Sequence, residues 1–155
     1  MRDHCVEGKS MKIKTMAGIC LAATAAACSI KQNVQPVSLL AQQEICVIQN
    51  DAVRAEFLTA INRSLSSWSY QVTLLDQGSP VTSCPVTMAY VANWSWDVAV
   101  YMTYAQLDVY QDGAISGSAV YDARSGGANM GKFINAEAKV DELIGQLFQK
   151  NGAGN

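Results

Sequence analysis

CPVTMAYVANWSWDVAVYMTYAQLDVYQDGAISGSAVYD, residues 84–122, is the segment on which the rest of the chain is built. Apolar and polar residues alternate through most of it with the period of two that marks half-buried strands. Val86, Met88, Tyr90 and Ala92 fall on one face, and Thr87, Ala89, Val91 and Asn93 on the other. Trp94-Ser95-Trp96-Asp97 then makes a corner, with both indoles projecting to one side of an extended chain. The next run, Val98 to Tyr110, changes its apolar face midway. Val98, Val100, Met102 and Tyr104 share one face, but Ala105, Leu107 and Val109 take over on the other, so a bulge or a change of covering partner is expected near Tyr104. Asp112-Gly113 supplies a tight turn. Ile115, Gly117, Ala119 and Tyr121 alternate with Ser116 and Ser118 on the return. Three consecutive antiparallel strands result, holding five of the six tyrosines together with Trp94 and Trp96.

Upstream, Glu44-Ile45-Cys46-Val47-Ile48-Gln49 is almost continuously apolar, as suits a strand buried on both faces. Asn50 or Asp51 is the expected cap of a helix whose stripe is Val53, Phe57, Ile61, Leu65 and Trp68. Tyr70 to Leu75 is a second strand, completing a β-α-β unit whose crossover, if parallel, would be right-handed. Asp76-Gln77-Gly78-Ser79-Pro80 reads as a loop. Downstream, Arg124 to Gly131 is a loop whose three glycines follow no phosphate-binding pattern. A last helix, near Asn135 to Lys150, carries the apolar face Val140, Leu143, Ile144, Leu147 and Phe148, with Asn135 as its cap. The expected fold is α+β, a mainly antiparallel sheet in the order β-α-β-β-β-β-α with both helices packed on it.

The amino-terminal part is organised differently. Met11-Lys12-Ile13-Lys14 is basic, and Thr15 to Ala27 is a short apolar run rich in small residues. That arrangement fits a secretory signal, and the run is too short for the ~20 apolar residues of a membrane-spanning helix. The first ten residues, which carry two acids and a lone His4, fit poorly, so Met11 is the expected start and residues 1–10 an over-extension. The division expected is signal peptide over 1–27, Cys28 and a polar tether over 28–43, one periplasmic domain over 44–150, and a disordered tail over 151–155. Val37-Ser38-Leu39-Leu40 either packs on the domain or stays with the tether.

The whole chain has half its residues apolar and a formal charge of -2, enough for a core and without the basic stripe of a nucleic-acid binder. His4 is the sole histidine and precedes Cys28, so cleavage there leaves a chain without Ser-His or Cys-His catalysis or His metal ligation. No cofactor, metal or catalytic residue is expected. Asp97, Asp108, Asp112 and Asp122 are the acids a hydrolase reading would use, Asp97 because Trp96 stands beside it. Trp94, Trp96 and Asp97 are a candidate binding surface, to which Tyr90, Tyr101, Tyr104, Tyr110 and Tyr121 could add as a sugar or peptide platform, although such residues more often fill cores.

Ala26-Ala27-Cys28 resembles the lipobox of bacterial lipoproteins, with Ala25 where leucine is commoner. The resemblance implies acylation of Cys28, a bilayer anchor of several acyl chains, and, with Ser29 next, sorting to the periplasmic face of the outer membrane. An ordinary signal-peptidase site with Cys28 a free thiol is the alternative. With Cys28 acylated, Cys46 and Cys84 remain as one pair, and in an oxidising compartment a disulfide is expected. It would close a loop of about 38 residues, worth about 4 kcal/mol on the chain-entropy account; two separate buried thiols are the alternative.

The pattern C-P-x-T-x-x-Y-x-A-N-W-S-W-D from Cys84 to Asp97, with Lys132-Phe133-Ile134-Asn135-Ala136-Glu137 before the closing helix, resembles small proteobacterial lipoproteins of unassigned function. The element order is also similar to small α/β domains of periplasmic assembly lipoproteins. These resemblances imply a lipoprotein without known catalytic residues. The expected function is non-enzymatic binding or assembly of another envelope protein. Small-ligand or glycan binding by the aromatic strands comes second, and hydrolysis by aspartates third.

Overall fold

The computed structural model describes residues 30–37 and 44–149. The expected lipidation site Cys28, the signal segment and the carboxy-terminal tail lie outside them. Strands β1 (Lys31–Gln35), β2 (Glu44–Ile48), β3 (Gln71–Leu75), β4 (Val86–Asp97), β5 (Ala99–Gln111) and β6 (Ala114–Asp122) form one sheet in the order β1-β6-β5-β4-β2-β3. Helices α1 (Ala55–Ser67) and α2 (Ala136–Leu147) complete the fold.

The fold is α+β as expected, but the sheet is mixed rather than mainly antiparallel. β1–β6, β6–β5 and β5–β4 are antiparallel, whereas β4–β2 and β2–β3 are parallel. β2 sits between two parallel neighbours, and its Ile45, Cys46 and Val47 are all buried, which is why this strand reads as a continuous apolar run.

Both helices cover the same face. Ile45 and Val47, then Met88, Tyr90 and Ala92, then Ala105, Leu107 and Val109, then Ala119 and Tyr121 join Phe57, Ile61, Leu65, Val140, Leu143, Ile144 and Leu147 in one core. The α1 stripe thus packs as its spacing predicts. Its start does not. Arg54, with no side-chain cap, precedes the helix, while Asn50 closes a separate turn by accepting from the Ala52 N–H at 3.1 Å. α2 begins as expected, with the Asn135 side chain accepting from the Ala138 N–H at 3.0 Å.

The polar segment expected to be a tether enters the fold. Lys31–Gln35 is an edge strand on β6, Val37 is buried, and the Val37 N–H donates to the Leu147 carbonyl at 2.8 Å. Gln32 donates to Glu142 and Gln146 of α2 at 2.7 and 3.1 Å, so polar side chains hold this strand where apolar ones ordinarily would. Gly117 leaves room for it: a Cβ there would stand 2.5 Å from the Val37 Cγ2.

The expected bulge falls at Thr103, one residue before Tyr104. Asn93 pairs with Tyr104 and Trp94 with Met102, so Thr103 has no partner residue. The Asp112-Gly113 turn has φ of 50° and 82°, both left-handed, as the tightest hairpin connection requires. A Cys46–Cys84 disulfide with Cα atoms 6.2 Å apart ties β2 to the entry of β4. Replacing both cysteines by alanine should lower unfolding stability in urea by about 2–4 kcal/mol. An unchanged midpoint would contradict a structural role for the bridge.

Candidate functional site

Beyond the bulge, β4 and β5 leave the six-stranded sheet and continue as a two-stranded ribbon, from Trp94 to Asp97 and from Ala99 to Met102. Trp94 and Trp96 project to the same side, as expected, but have different surroundings. Trp94 stays over the helices. Its ring meets Phe57 edge-on at 5.8 Å, and the Arg54 guanidinium lies 5.1 Å from its centroid. With Arg54, Glu56, Phe57, Asn135 and Glu137 it lines a pocket of about 330 Å³ between the amino-terminal ends of α1 and α2. Trp96 lies past the helices and is 72% exposed.

Asp97 is held by a residue whose role the sequence reading missed. Lys132 follows the glycine-bearing loop, and its side chain is buried. Its Nζ donates to Asp97 Oδ2 at 2.5 Å and to the Gly127 carbonyl at 2.7 Å, and lies 5.1 and 5.2 Å from the Tyr101 and Phe133 ring centroids. The Asp97 carboxylate raises Lys132 above the usual lysine pKa, so the cation persists at neutral pH. A carboxylate, a carbonyl and two ring faces together replace its lost water. The result is a clip between the hairpin and the loop that follows β6. A Lys in a Gly-rich stretch carries no sequence signal that separates this buried clip from a solvated amine.

A second ion pair braces the same end. Arg124 meets Asp122 in a fork, Nε to Oδ1 at 2.9 Å and Nη2 to Oδ2 at 2.7 Å, while its guanidinium lies 4.4 Å from the Tyr104 centroid. The hydrogen bonds from the Arg124 side chain and backbone pull the Asp122 carboxyl down to about 2.

The face of the sheet away from the helices carries a polar ladder. Tyr104 donates to Gln106 at 2.5 Å, Gln106 to Asp108 at 2.6 Å, and Ser118 to the other Asp108 oxygen at 2.6 Å. The expected aromatic platform is therefore divided. Tyr90 and Tyr121 are buried under the helices, Tyr101 packs on Phe133, and Tyr104 lies on the outer face. The four aspartates are spread as well. Asp97 and Asp122 are in ion pairs, Asp108 is in the ladder, and Asp112 lies in the turn at the far end of the sheet. Asp122 pairs with Tyr104, four residues along β5 from Asp108, about 13 Å at strand spacing. Among the described residues, no group of three or more His, Cys, Asp or Glu side chains is placed to hold a metal ion.

No family model matches the chain, and no curated protein matches it. Solved structures share its fold. The PelC dodecamer from Paraburkholderia phytofirmans is 9% identical with a TM-score of 0.53, covering 77% of this chain and 98% of that one. A single-substitution variant of the same dodecamer gives a TM-score of 0.50 at 9% identity, covering 77% and 94%. The likeness is one of fold.

The lowered Asp122 pKa gives a pH prediction. A carboxyl near 2 when folded and about 4 when unfolded stabilises the fold fully above pH 4 and loses that contribution as pH falls toward 2. Asp122→Asn should flatten the stability profile across that window. A profile equally steep in the variant would contradict the assignment.

Proposed function

We propose that this chain is a lipid-anchored lipoprotein of the periplasmic face of the outer membrane that acts by protein contact and turns over no substrate. The observation that carries the reading is the sheet's outer face. Among the described residues no helix lies over its β5–β6 part, yet it presents the preset polar ladder Tyr104-Gln106-Asp108-Ser118. A face held in one arrangement by its own hydrogen bonds loses little side-chain freedom on docking. Of the acids that hydrolysis would need, Asp97, Asp108 and Asp122 are engaged in structural contacts, Asp112 lies apart in the far turn, and Asp122, held near 2, is a poor proton donor at neutral pH. PelC, which shares the fold, forms a dodecamer, and this supports self-association or co-assembly as the kind of contact made here. Cys28 supplies the anchor. The tether between it and the domain is short, because the strand begins at Lys31.

A second reading, small-ligand or glycan binding, draws on the pocket beside Trp94. Its Trp94 indole suits stacking on a sugar ring, and Arg54, Glu56, Asn135 and Glu137 offer hydrogen-bond partners for neutral hydroxyls.

Two measurements test the leading reading together. Cys28→Ser should move the protein from the membrane fraction to the soluble one and remove acyl mass. A photo-crosslinker in place of Gln106 should give one discrete adduct, with an envelope protein or with a second copy. No adduct at that position, together with a Trp94 fluorescence change on adding neutral oligosaccharide, would favour the pocket instead.

A further inference from the structure

The end of the molecule that carries Trp96 is also the end at which β1 begins, three residues after Cys28 in sequence. Lys31 pairs with Asp122, Asp122 with Tyr104, and Tyr104 with Asn93, so these four residues form one row across the sheet. Beyond that row lies the hairpin on one side and Ile30 on the other. The segment after β6 joins them: Lys132 bonds to Asp97, and a Cβ on Gly131 would touch Ile30 at 3.6 Å.

The exposed apolar side chains collect here. Trp96, Val98, Val100 and Met130 are 72, 86, 51 and 74% exposed, and they are four of the seven large apolar residues exposed among the described ones. The neighbouring acids already have partners, Asp97 with Lys132 and Asp122 with Arg124. The hairpin tip therefore offers apolar surface whose carboxylates are matched by cations.

Val98 is unusual in a second way. It is the single residue between the paired Asp97 and Ala99, and its φ is 63°. A β-branched residue is strained in that region, where Gly, Asn or Asp would sit more easily and would be better solvated. Backbone conformation and hydration both disfavour valine at this position, and strain of this kind collects where function requires it.

From this geometry we infer that the hairpin tip, Trp96, Val98 and Val100 with Met130 beside them, is a wedge that enters the lipid interface next to the acyl anchor. The lengths agree. Cys28 is three residues from Lys31, a reach of at most about 10 Å. The strand from Asn93 to Val98 extends about 16 Å past the same row. With the hairpin pointing to the bilayer, the anchor is too short to hold its tip clear of the headgroups. Indole at this depth has the amphipathic character that interfaces favour. The inference extends the lipoprotein reading and can be separated from it.

The test uses the purified full-length processed protein in vesicles of phosphatidylethanolamine and phosphatidylglycerol with brominated acyl chains. The Trp96 contribution is the fluorescence difference between the native protein and Trp96→Phe. Bromine should quench it at least twofold, while aqueous iodide should lose access to it. Val98→Asn should melt at the same or a higher temperature, still float with the vesicles, and lose the bromine quenching. Acyl mass, measured separately, distinguishes the two readings. Protein with acyl groups whose Trp96 stays open to iodide overturns the wedge and leaves the anchor. Protein without acyl groups whose Trp96 is quenched on vesicles supports the wedge and overturns the anchor. A Trp96 shielded only by crosslinking to another protein would also overturn the wedge.

Discussion

One extra residue in β5 divides this molecule in two. Thr103 has no partner across the β4–β5 ladder, and the chain closes around it instead. Its hydroxyl donates to the Asn93 carbonyl at 3.2 Å, and its own carbonyl accepts from the Ala123 N–H at 2.8 Å, just where β6 ends. Below this point β4 and β5 are inner strands under two helices. Above it they are a two-stranded ribbon held by the loop after β6, through Lys132 and Phe133. A bulge adds twist and swaps the faces of the residues that follow, which is why the apolar side of β5 changes between Met102 and Ala105. Without it, one strict alternation along the whole of β5 would turn either the upper or the lower half of its apolar set to the wrong side.

The two ends are stabilised by different means. The Asp112-Gly113 end is covalent: the disulfide fastens the loop before β4 to the inner strand β2, and the Asp112 N–H extends the ladder to the Pro85 carbonyl at 2.9 Å. The hairpin end relies on charge. Lys132 and Arg124 each meet a carboxylate and an aromatic ring, so the loop after β6 is joined to β5 and to the hairpin by cations. The difference matches the roles proposed for them, a stapled end facing away from the bilayer and a charge-balanced end facing it.

Much of this was legible in the sequence because the relevant signals are local. The apolar run of β2, the stripe of α1, the Asn135 cap and the Asp112-Gly113 turn each depend on near neighbours, and the structure places all four as read. What escaped depends on distant partners. Lys31–Gln35 has a single apolar residue, Val34, and its place on β6 comes from hydrogen bonds to α2, more than a hundred residues away. The parallel junction of β4 with β2 is brief, Cys46 with Thr87 and Val47 with Met88, and leaves no periodic trace. Asn50 looks like a helix cap because it does cap a turn, one that ends before the helix begins. Of the candidate surface, Trp94, Trp96 and Asp97 do lie on one hairpin, but that one indole is sheltered and the other bare depends on where the helices stop.

In the proposed arrangement the domain is mounted with its hairpin end toward the bilayer. Hydrogen exchange along the chain, compared between the acylated protein on vesicles and the Cys28→Ser protein in solution, tests it most directly. The added protection should concentrate in residues 95–101 and 128–132, with the 112–113 turn unchanged. Protection centred on the turn or on β3, with the hairpin exchanging as in solution, would contradict it.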